Sequence, residues 1–169
     1  INSSPILEKL IISGNKSGIK GGGIYAYNSD PTLHHVTITG NSANAGGGIY
    51  GITDVDIAMD NSIIWANYPN QIGFSSIVGQ NSLNLEYNSI GGNPFGGGAI
   101  SYGSNYDFSS NDDYDTFLPR FVMPIVYIEA PTADGNFHLD LGSECIDAGD
   151  PSILDYEGLS ALDEEIYTA

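Results

Sequence analysis

A long-period repeat is the feature of this chain that most restricts its fold. The segment Pro5–Asn15 resembles Pro31–Asn41 along most of its length, and the same interval separates further matching positions. Two columns of identical residues continue at this interval through four units: Ile12, Ile38, Ile64 and Ile90, and Asn15, Asn41, Asn67 and Asn93. A third, apolar column contains Leu7, Leu33, Met59 and Leu85. This interval, about 26 residues, lies in the range that is typical of repeat architectures, so the sequence predicts a solenoid with coils of that length.

The pattern inside each unit predicts strands. Leu10 alternates with Ile12 in the first unit, and Val36 alternates with Ile38 in the second. Such period-two alternation is typical of half-buried strands, whereas leucine-rich and helical repeats need a helix in every unit. A run of glycines recurs at Gly21–Gly23, Gly46–Gly48 and Gly96–Gly98. Because glycine permits tight corners, we predict an all-β fold, a right-handed parallel β-helix whose successive coils pair in parallel.

The repeated columns are predicted to form ladders. The isoleucine column would lie inside the coils, together with Leu7 and Leu10, and the asparagine column would lie at a corner. Stacked asparagine amides can bond to one another and to the turn backbone, which satisfies polar groups that would otherwise be buried without partners. Binding sites rarely repeat in every unit, so we interpret both ladders as structural.

The composition divides the chain into four predicted parts. Residues 1–100 are regular β-helix coils, and residues 101–120 are an acidic and aromatic excursion loop. Residues 121–151 contain closing strands of the β-helix, and residues 152–169 form an acidic C-terminal cap or tail. We therefore expect a solenoid with an irregular C-terminal cap region.

Several segments resemble a known group of proteins. Pro31–Asn41, Gly46–Tyr50 and Asn61–Asn67 resemble the repeats of bacterial parallel β-helix surface proteins related to the polymorphic outer membrane proteins. Asn136–Leu139 and Gly142–Pro151 resemble the segment that closes such helices. The resemblance implies a right-handed parallel β-helix, a secreted or cell-surface location in bacteria, and a structural or adhesive role. Glycans or surface proteins would then be its partners.

The charge of the chain excludes several classes of partner. Lys and Arg number 4 against 21 Asp and Glu, which gives a formal net charge of −17. Nucleic acids and anionic lipids need clustered cations, so neither is an expected partner. No apolar run is long enough to span a bilayer. A lyase acting on polyuronates also needs cationic groups, so we do not expect that activity.

Three functional interpretations stay open. We favour a non-catalytic structural or adhesive segment of a secreted or cell-surface protein. The second is a carbohydrate-binding or carbohydrate-cleaving β-helix, in which Asp54 and Asp56 could supply paired carboxylates. The third is a self-assembling extracellular building block that associates through the solenoid ends, since an uncapped coil exposes unpaired strand edges.

An outward polar column is the first candidate site. It contains Glu8, His34, Asp60 and Glu86. Stacked at strand spacing, these side chains would place an imidazole between carboxylates, an arrangement that can bind a metal ion or exchange protons. We favour an ordinary solvated face, in which the carboxylates offset the histidine, because no further polar group converges on the column.

A group of oxygen-bearing side chains in the predicted excursion loop is the second candidate site. It contains Asp107, Asn111, Asp113 and Asp115. Calcium takes six to eight such ligands in irregular geometry, so calcium is the one cofactor that the sequence suggests. Thr116 stands where a calcium-binding loop would have glycine, and we favour a solvated acidic loop over a metal site.

Overall fold

The structure is a computed structural model that describes residues 1–75, 81–91, 105–108, 113–114, 119–124, 127–143 and 145. Within these residues the chain is almost entirely β. The strands of the first three coils are β1 (Ile6–Glu8), β2 (Ile11–Ser13), β3 (Ile24–Tyr27), β4 (Thr32–His34), β5 (Thr37–Thr39), β6 (Ile49–Ile52), β7 (Asp56–Asp60), β8 (Ile63–Trp65) and β9 (Ile72–Phe74). The remaining elements are β10 (Ser82–Glu86), β11 (Ser89–Ile90), β12 (Asn105–Phe108), β13 (Asp113–Tyr114), β14 (Phe121–Met123), the 3-10 helix Tyr127–Glu129, and β15 (Asn136–Leu139).

Parallel pairing stacks the coils into three sheets. Sheet one has the order β1-β4-β7-β10-β12, sheet two the order β2-β5-β8-β11-β13, and sheet three the order β3-β6-β9. Every coil therefore contributes its strands to the sheets in the same order along the chain. This confirms the predicted parallel β-helix with coils of about 26 residues.

The register of sheets one and two follows the sequence interval. In sheet two Ile12 pairs with Ile38, Ile38 with Ile64, and Ile64 with Ile90. In sheet one the paired column is Leu7, Leu33, Met59 and Leu85. Leu33, Ile38, Ile64, Leu85 and Ile90 are fully buried, and Leu7 and Ile12 pack against this core from the first coil. The core is thus a set of apolar stacks that run through the coils.

Backbone in the left-handed region turns the chain at equivalent positions of successive coils. The corner between sheets one and two contains Lys9, His35, Asn61 and Tyr87, at φ of 52°, 54°, 47° and 56°. A second such column is Gly14, Gly40 and Ala66, and a third is Asn2, Asn28 and Asp54. Positive φ is uncommon for residues other than glycine, so its recurrence marks the corners as repeated elements.

Sheet three does not keep the interval of the other sheets. The step from Ile24 to its partner Ile49 is one residue shorter than the step from Ile38 to Ile64 in sheet two. The step from Ile49 to its partner Ile72 is shorter still. The connection that leads into sheet three therefore shortens from coil to coil, and the connection that leaves it lengthens to match.

The first coil is less buried than the sequence predicts. Leu10, which we expected inside, is 41% exposed, whereas Val36 at the equivalent position of the second coil is 1% exposed. Leu10 belongs to the first coil, and no other described coil lies on its N-terminal side. The position faces inward in the repeat, but a coil on each side is needed to bury the side chain.

Two strands lie inside the stretch predicted as an excursion loop. Strand β12 pairs with β10, and β13 pairs with β11, so residues 105–108 and 113–114 extend sheets one and two. The segment Asn105–Phe108 alternates polar and aromatic residues, a period-two pattern that its acidic composition obscured. The excursion-loop prediction is corrected for these residues.

The C-terminal strands form a hairpin of their own. Strands β14 and β15 pair with each other in antiparallel orientation, whereas the sequence predicts closing strands of the β-helix here. Phe121 and Phe137 pack edge to face across the pair, with ring centroids 5.6 Å apart. Between these strands in the chain, the backbone N–H of Thr132 donates to the Gly14 carbonyl at 2.9 Å, which ties the segment to the first coil. The predicted cap or tail at 152–169 lies outside the described residues.

In the part of the chain that the structure describes, no helix has the length and apolar character that a membrane crossing requires.

Candidate functional site

The outward polar column of sheet one brings His34 and Asp60 into contact. The register places Glu8 beside His34, His34 beside Asp60, and Asp60 beside Glu86. The Nδ1 atom of His34 lies 2.5 Å from Asp60 Oδ2, and Asn61 Nδ2 donates to Asp60 Oδ1 at 3.1 Å. The two side chains of the pair are 34% and 30% exposed. The result is an oriented imidazole–carboxylate pair at the protein surface.

The chemistry open to the His34–Asp60 pair depends on the second nitrogen of the imidazole. An imidazole held at one nitrogen by a carboxylate can use its other nitrogen for proton transfer or for a ligand. Among the described residues, no group of three or more His, Cys, Asp or Glu side chains is placed to hold a metal ion. The contact that the structure shows in this column is the hydrogen bond between His34 and Asp60 on neighbouring coils.

The corner after sheet two contains an asparagine ladder. The Oδ1 atom of Asn67 accepts the backbone N–H and the side-chain amide of Asn41, each at 2.9 Å. Asn41 Oδ1 accepts the same two donors from Asn15, again at 2.9 Å. The Nδ2 atoms of Asn41 and Asn67 also donate to the carbonyls of Ile12 and Ile38. The Asn41 amide therefore joins its own coil to both neighbours.

The next member of this ladder is a glutamine that the repeat interval does not locate. Gln71 Oε1 accepts the Asn67 backbone N–H at 3.3 Å and its side-chain amide at 2.8 Å. The longer side chain reaches the ladder from a position farther along the same coil. Asn93, the fourth asparagine of the predicted column, lies outside the described residues.

A second polar ladder lies at the corner between sheets one and two, and sequence reasoning missed it. The Val36 N–H donates to Ser62 Oγ at 2.9 Å, and the Ser62 N–H donates to Asn88 Oδ1 at 3.0 Å. Asn88 Nδ2 then donates to the Met59 carbonyl at 2.9 Å. The residues of this column are apolar in the first two coils and polar in the next two. No recurring residue type therefore marks the column in the sequence.

The structure places the two carboxylates considered for a cleaving enzyme at a corner and at the start of a strand. Asp54 lies in a left-handed corner at φ 46°. Asp56 lies at the start of β7, where its backbone N–H donates to Asp30 Oδ1 at 3.1 Å and its own Oδ1 accepts from Ser82 Oγ at 2.5 Å. The Asp56 side chain thus joins two coils.

The structure describes two of the four residues proposed for calcium and places them on strands of different sheets. Asp107 belongs to β12 in sheet one, and Asp113 belongs to β13 in sheet two. Asn111 and Asp115 lie outside the described residues. Calcium binding by this group stays a prediction from the sequence.

Sheet three carries an aromatic surface that the sequence analysis did not identify as a site. The Tyr25 and Tyr50 rings are stacked with an interplanar angle of 6° and centroids 6.2 Å apart. The ammonium nitrogen of Lys20 lies 4.6 Å from the centroid of the Tyr50 ring. Tyr27 follows Tyr25 on the same strand, and both of these tyrosines are exposed. The signal was available in the recurrent Gly-Ile-Tyr segments, whose tyrosines stack because the strands pair in register.

Comparison with known protein families adds one match. The model of the Chlamydia polymorphic membrane protein repeat matches residues 9–27 and 35–52. The two matched segments contain β2 with β3 and β5 with β6, which are equivalent parts of successive coils. No curated protein and no solved structure matches the chain. The repeat match points to a segment of a bacterial cell-surface protein.

Proposed function

We propose that this chain, a parallel β-helix in which two coils match the polymorphic membrane protein repeat, is a structural and adhesive segment displayed at the bacterial cell surface. The observation that carries this proposal is the occurrence of the family's repeat in coils that stack in register. A solenoid of this kind presents long outer faces, and such faces suit contact with other macromolecules.

The use of the polar side chains supports a scaffold over a catalyst. The asparagine amides, Ser62, Asp56 and His34 all form hydrogen bonds to the equivalent position of a neighbouring coil. Such contacts stabilise the stack and orient the corners. An active site instead needs polar groups that converge on a substrate position.

Surface display is tested on intact cells of the bacterium that encodes the protein. Antibodies against the purified chain should label unpermeabilised cells, and external protease should remove the label while a cytoplasmic marker stays intact. Label that appears only after the cells are lysed would contradict the surface location.

Adhesion is tested separately with beads that carry the purified chain. These beads should attach to cultured epithelial cells more than beads that carry serum albumin. Heat-unfolded chain on matched beads controls for the charge and composition of the chain. Equal attachment of the folded and unfolded chains would contradict the adhesive role and leave only the structural role of the proposal.

A further inference from the structure

We infer that residues 128–134 form a strap that lies against the outer face of sheet two and opens without unfolding of the coils. Three observations carry this inference: an outward side chain that is completely buried, a hydroxyl on that side chain without a partner, and a backbone contact between the strap and the stack. The inference goes beyond the proposed function and does not depend on surface location or adhesion.

Thr39 lies on the outer side of β5 and is nevertheless completely buried. Ile38 before it packs in the core, and successive side chains of a strand point to opposite faces. Thr39 pairs with Ser13 in the first coil and with Trp65 in the third, so it is not at an end of the stack. The Trp65 indole leans away from it, since a Cβ added at Gly91 in the next coil would overlap that ring. We therefore place the cover of Thr39 outside the stack.

The strap contacts the corner next to Thr39. The Thr132 N–H donates to the Gly14 carbonyl at 2.9 Å, and a Cβ added at Gly14 would overlap the Thr132 carbonyl oxygen. Gly14 itself donates its N–H to the Thr39 carbonyl at 3.3 Å, and Gly40 donates to Trp65 in the same way. These bonds between coils use the N–H of each glycine, so the Gly14 carbonyl can accept from beside the stack. Thr132 therefore contacts the side of the stack and not its end.

The strap buries little of its own surface. Ala130 is buried, whereas Ile128 is 78% exposed and Asp134 is exposed. The Thr132 hydroxyl bonds to Asp134 within the strap, so the bond from Thr132 to the coils comes from its backbone. Segments with few buried apolar contacts open at a lower free energy than the core of a protein. The strap should therefore open while the coils stay folded.

The Thr39 hydroxyl favours the open strap. Among the buried side-chain atoms of the described residues, Thr39 Oγ1 is an exception in having no hydrogen-bond partner. A hydroxyl that is buried without a partner is destabilising relative to one that is hydrated. When the strap lifts, water can bond to this hydroxyl, so opening removes the penalty. The closed strap thus covers the outer face of sheet two at a free-energy cost that the open strap does not carry.

Hydrogen exchange of the purified chain, resolved by residue with NMR, tests the strap. The Thr132 amide reports on the strap, and the Ile63 amide, which donates to the Val36 carbonyl at 2.9 Å, reports on the coils. We expect Thr132 to be protected but to exchange at least about tenfold faster than Ile63, at a rate that low urea concentrations leave unchanged. An unprotected Thr132, or one that exchanges as slowly as Ile63 with the same urea dependence, would overturn the proposal.

A variant of β5 tests whether the strap is what covers Thr39. Thr39→Val keeps the shape of the side chain and removes the unpaired oxygen, so it should slow exchange at Thr132 about tenfold. Thr37→Val is the matched control, because Thr37 is a half-buried threonine on the same face of the strand, and it should leave Thr132 unchanged. If another part of the chain covers Thr39, Thr39→Val would slow exchange at Ile63 alone. That outcome, or an equal effect of the two variants at Thr132, refutes the strap.

Discussion

Asn67 Oδ1 accepts two hydrogen bonds from Asn41, one from its backbone N–H and one from its side-chain amide, each at 2.9 Å. Both residues are buried, so these bonds replace contacts with water that the corner would otherwise lose. The same geometry joins Asn15 to Asn41 one coil earlier. Side-chain hydrogen bonds therefore stabilise the corner after sheet two, in addition to the backbone hydrogen bonds between the coils.

Replacement of Asn41 should destabilise the solenoid strongly. Asn41→Ala removes the acceptor for Asn15 and the donors to Asn67 and Ile12, and it leaves buried polar groups without partners. We expect the free energy of unfolding to fall by about 2–4 kcal/mol, measured by urea denaturation. Asn44→Ala is the matched control, because the Asn44 amide makes an exposed bond to Gly18, and it should cost under about 1 kcal/mol. Equal losses for the two variants would show that the ladder adds no stability.

Truncation of the isoleucine at the centre of the column should destabilise the protein. Ile38 is fully buried between Ile12 and Ile64, so Ile38→Ala should leave a cavity and lower the unfolding free energy by about 2–5 kcal/mol. Ile11→Ala truncates an isoleucine on the outer face of β2 that is 59% exposed, and it should cost under about 1 kcal/mol. Calorimetry of the two variants gives the comparison, and similar melting temperatures would refute the predicted stack.

The glycine run at the entry to sheet three should tolerate no side chain at its middle position. A Cβ added at Gly47 would overlap the carbonyl oxygen of Tyr68 in the next coil, which is backbone and cannot rotate away. We expect Gly47→Ala to lower the melting temperature by several degrees or to prevent folding. A Cβ at Gly18 would meet nothing within 4 Å, so Gly18→Ala should change the melting temperature little. Loss of stability in both variants would point to a general need for glycine instead of a specific close contact.

The His34–Asp60 pair should contribute modestly to the free energy of unfolding. A double-mutant cycle with His34→Gln and Asp60→Asn should give a coupling of about 0.5–1 kcal/mol, because both side chains are partly solvated and screened. A cycle between Glu8 and His34, which are neighbours in register, serves as the comparison. Coupling of the same size in both cycles would mean that the His34–Asp60 contact has no specific effect.

The sequence predicts the stacked columns well because identical residues at a constant interval leave few alternative folds. The sequence predicts less at positions that are apolar in one coil and polar in the next. Val36 and Ser62 occupy equivalent positions, one in the core and one in a hydrogen-bond ladder, and only the shared geometry relates them. Gln71 joins the asparagine ladder by virtue of its longer side chain, which no interval indicates.

The candidate sites could be predicted only in part. The interval places His34 next to Asp60, but it cannot specify which nitrogen meets which oxygen. The stacked tyrosine pair depends on the pairing of Tyr25 with Tyr50, whose separation in the sequence is one residue shorter than that of Asn41 and Asn67 in the asparagine column. A search for columns of constant spacing does not detect a sheet whose spacing changes.

That variable spacing means that the position of sheet three along the coil can shift while the register of the other two sheets stays the same. The stretch from Ile12 to Ile24 is longer than the stretch from Ile38 to Ile49, and the stretch from Ile64 to Ile72 is the shortest of the three. Sheets one and two nevertheless stay aligned throughout, because residues lost on one flank of sheet three are regained on the other. The two connections that flank this sheet thus vary in length between coils in a compensating way, and the two sheets of constant step fix the total length of each coil.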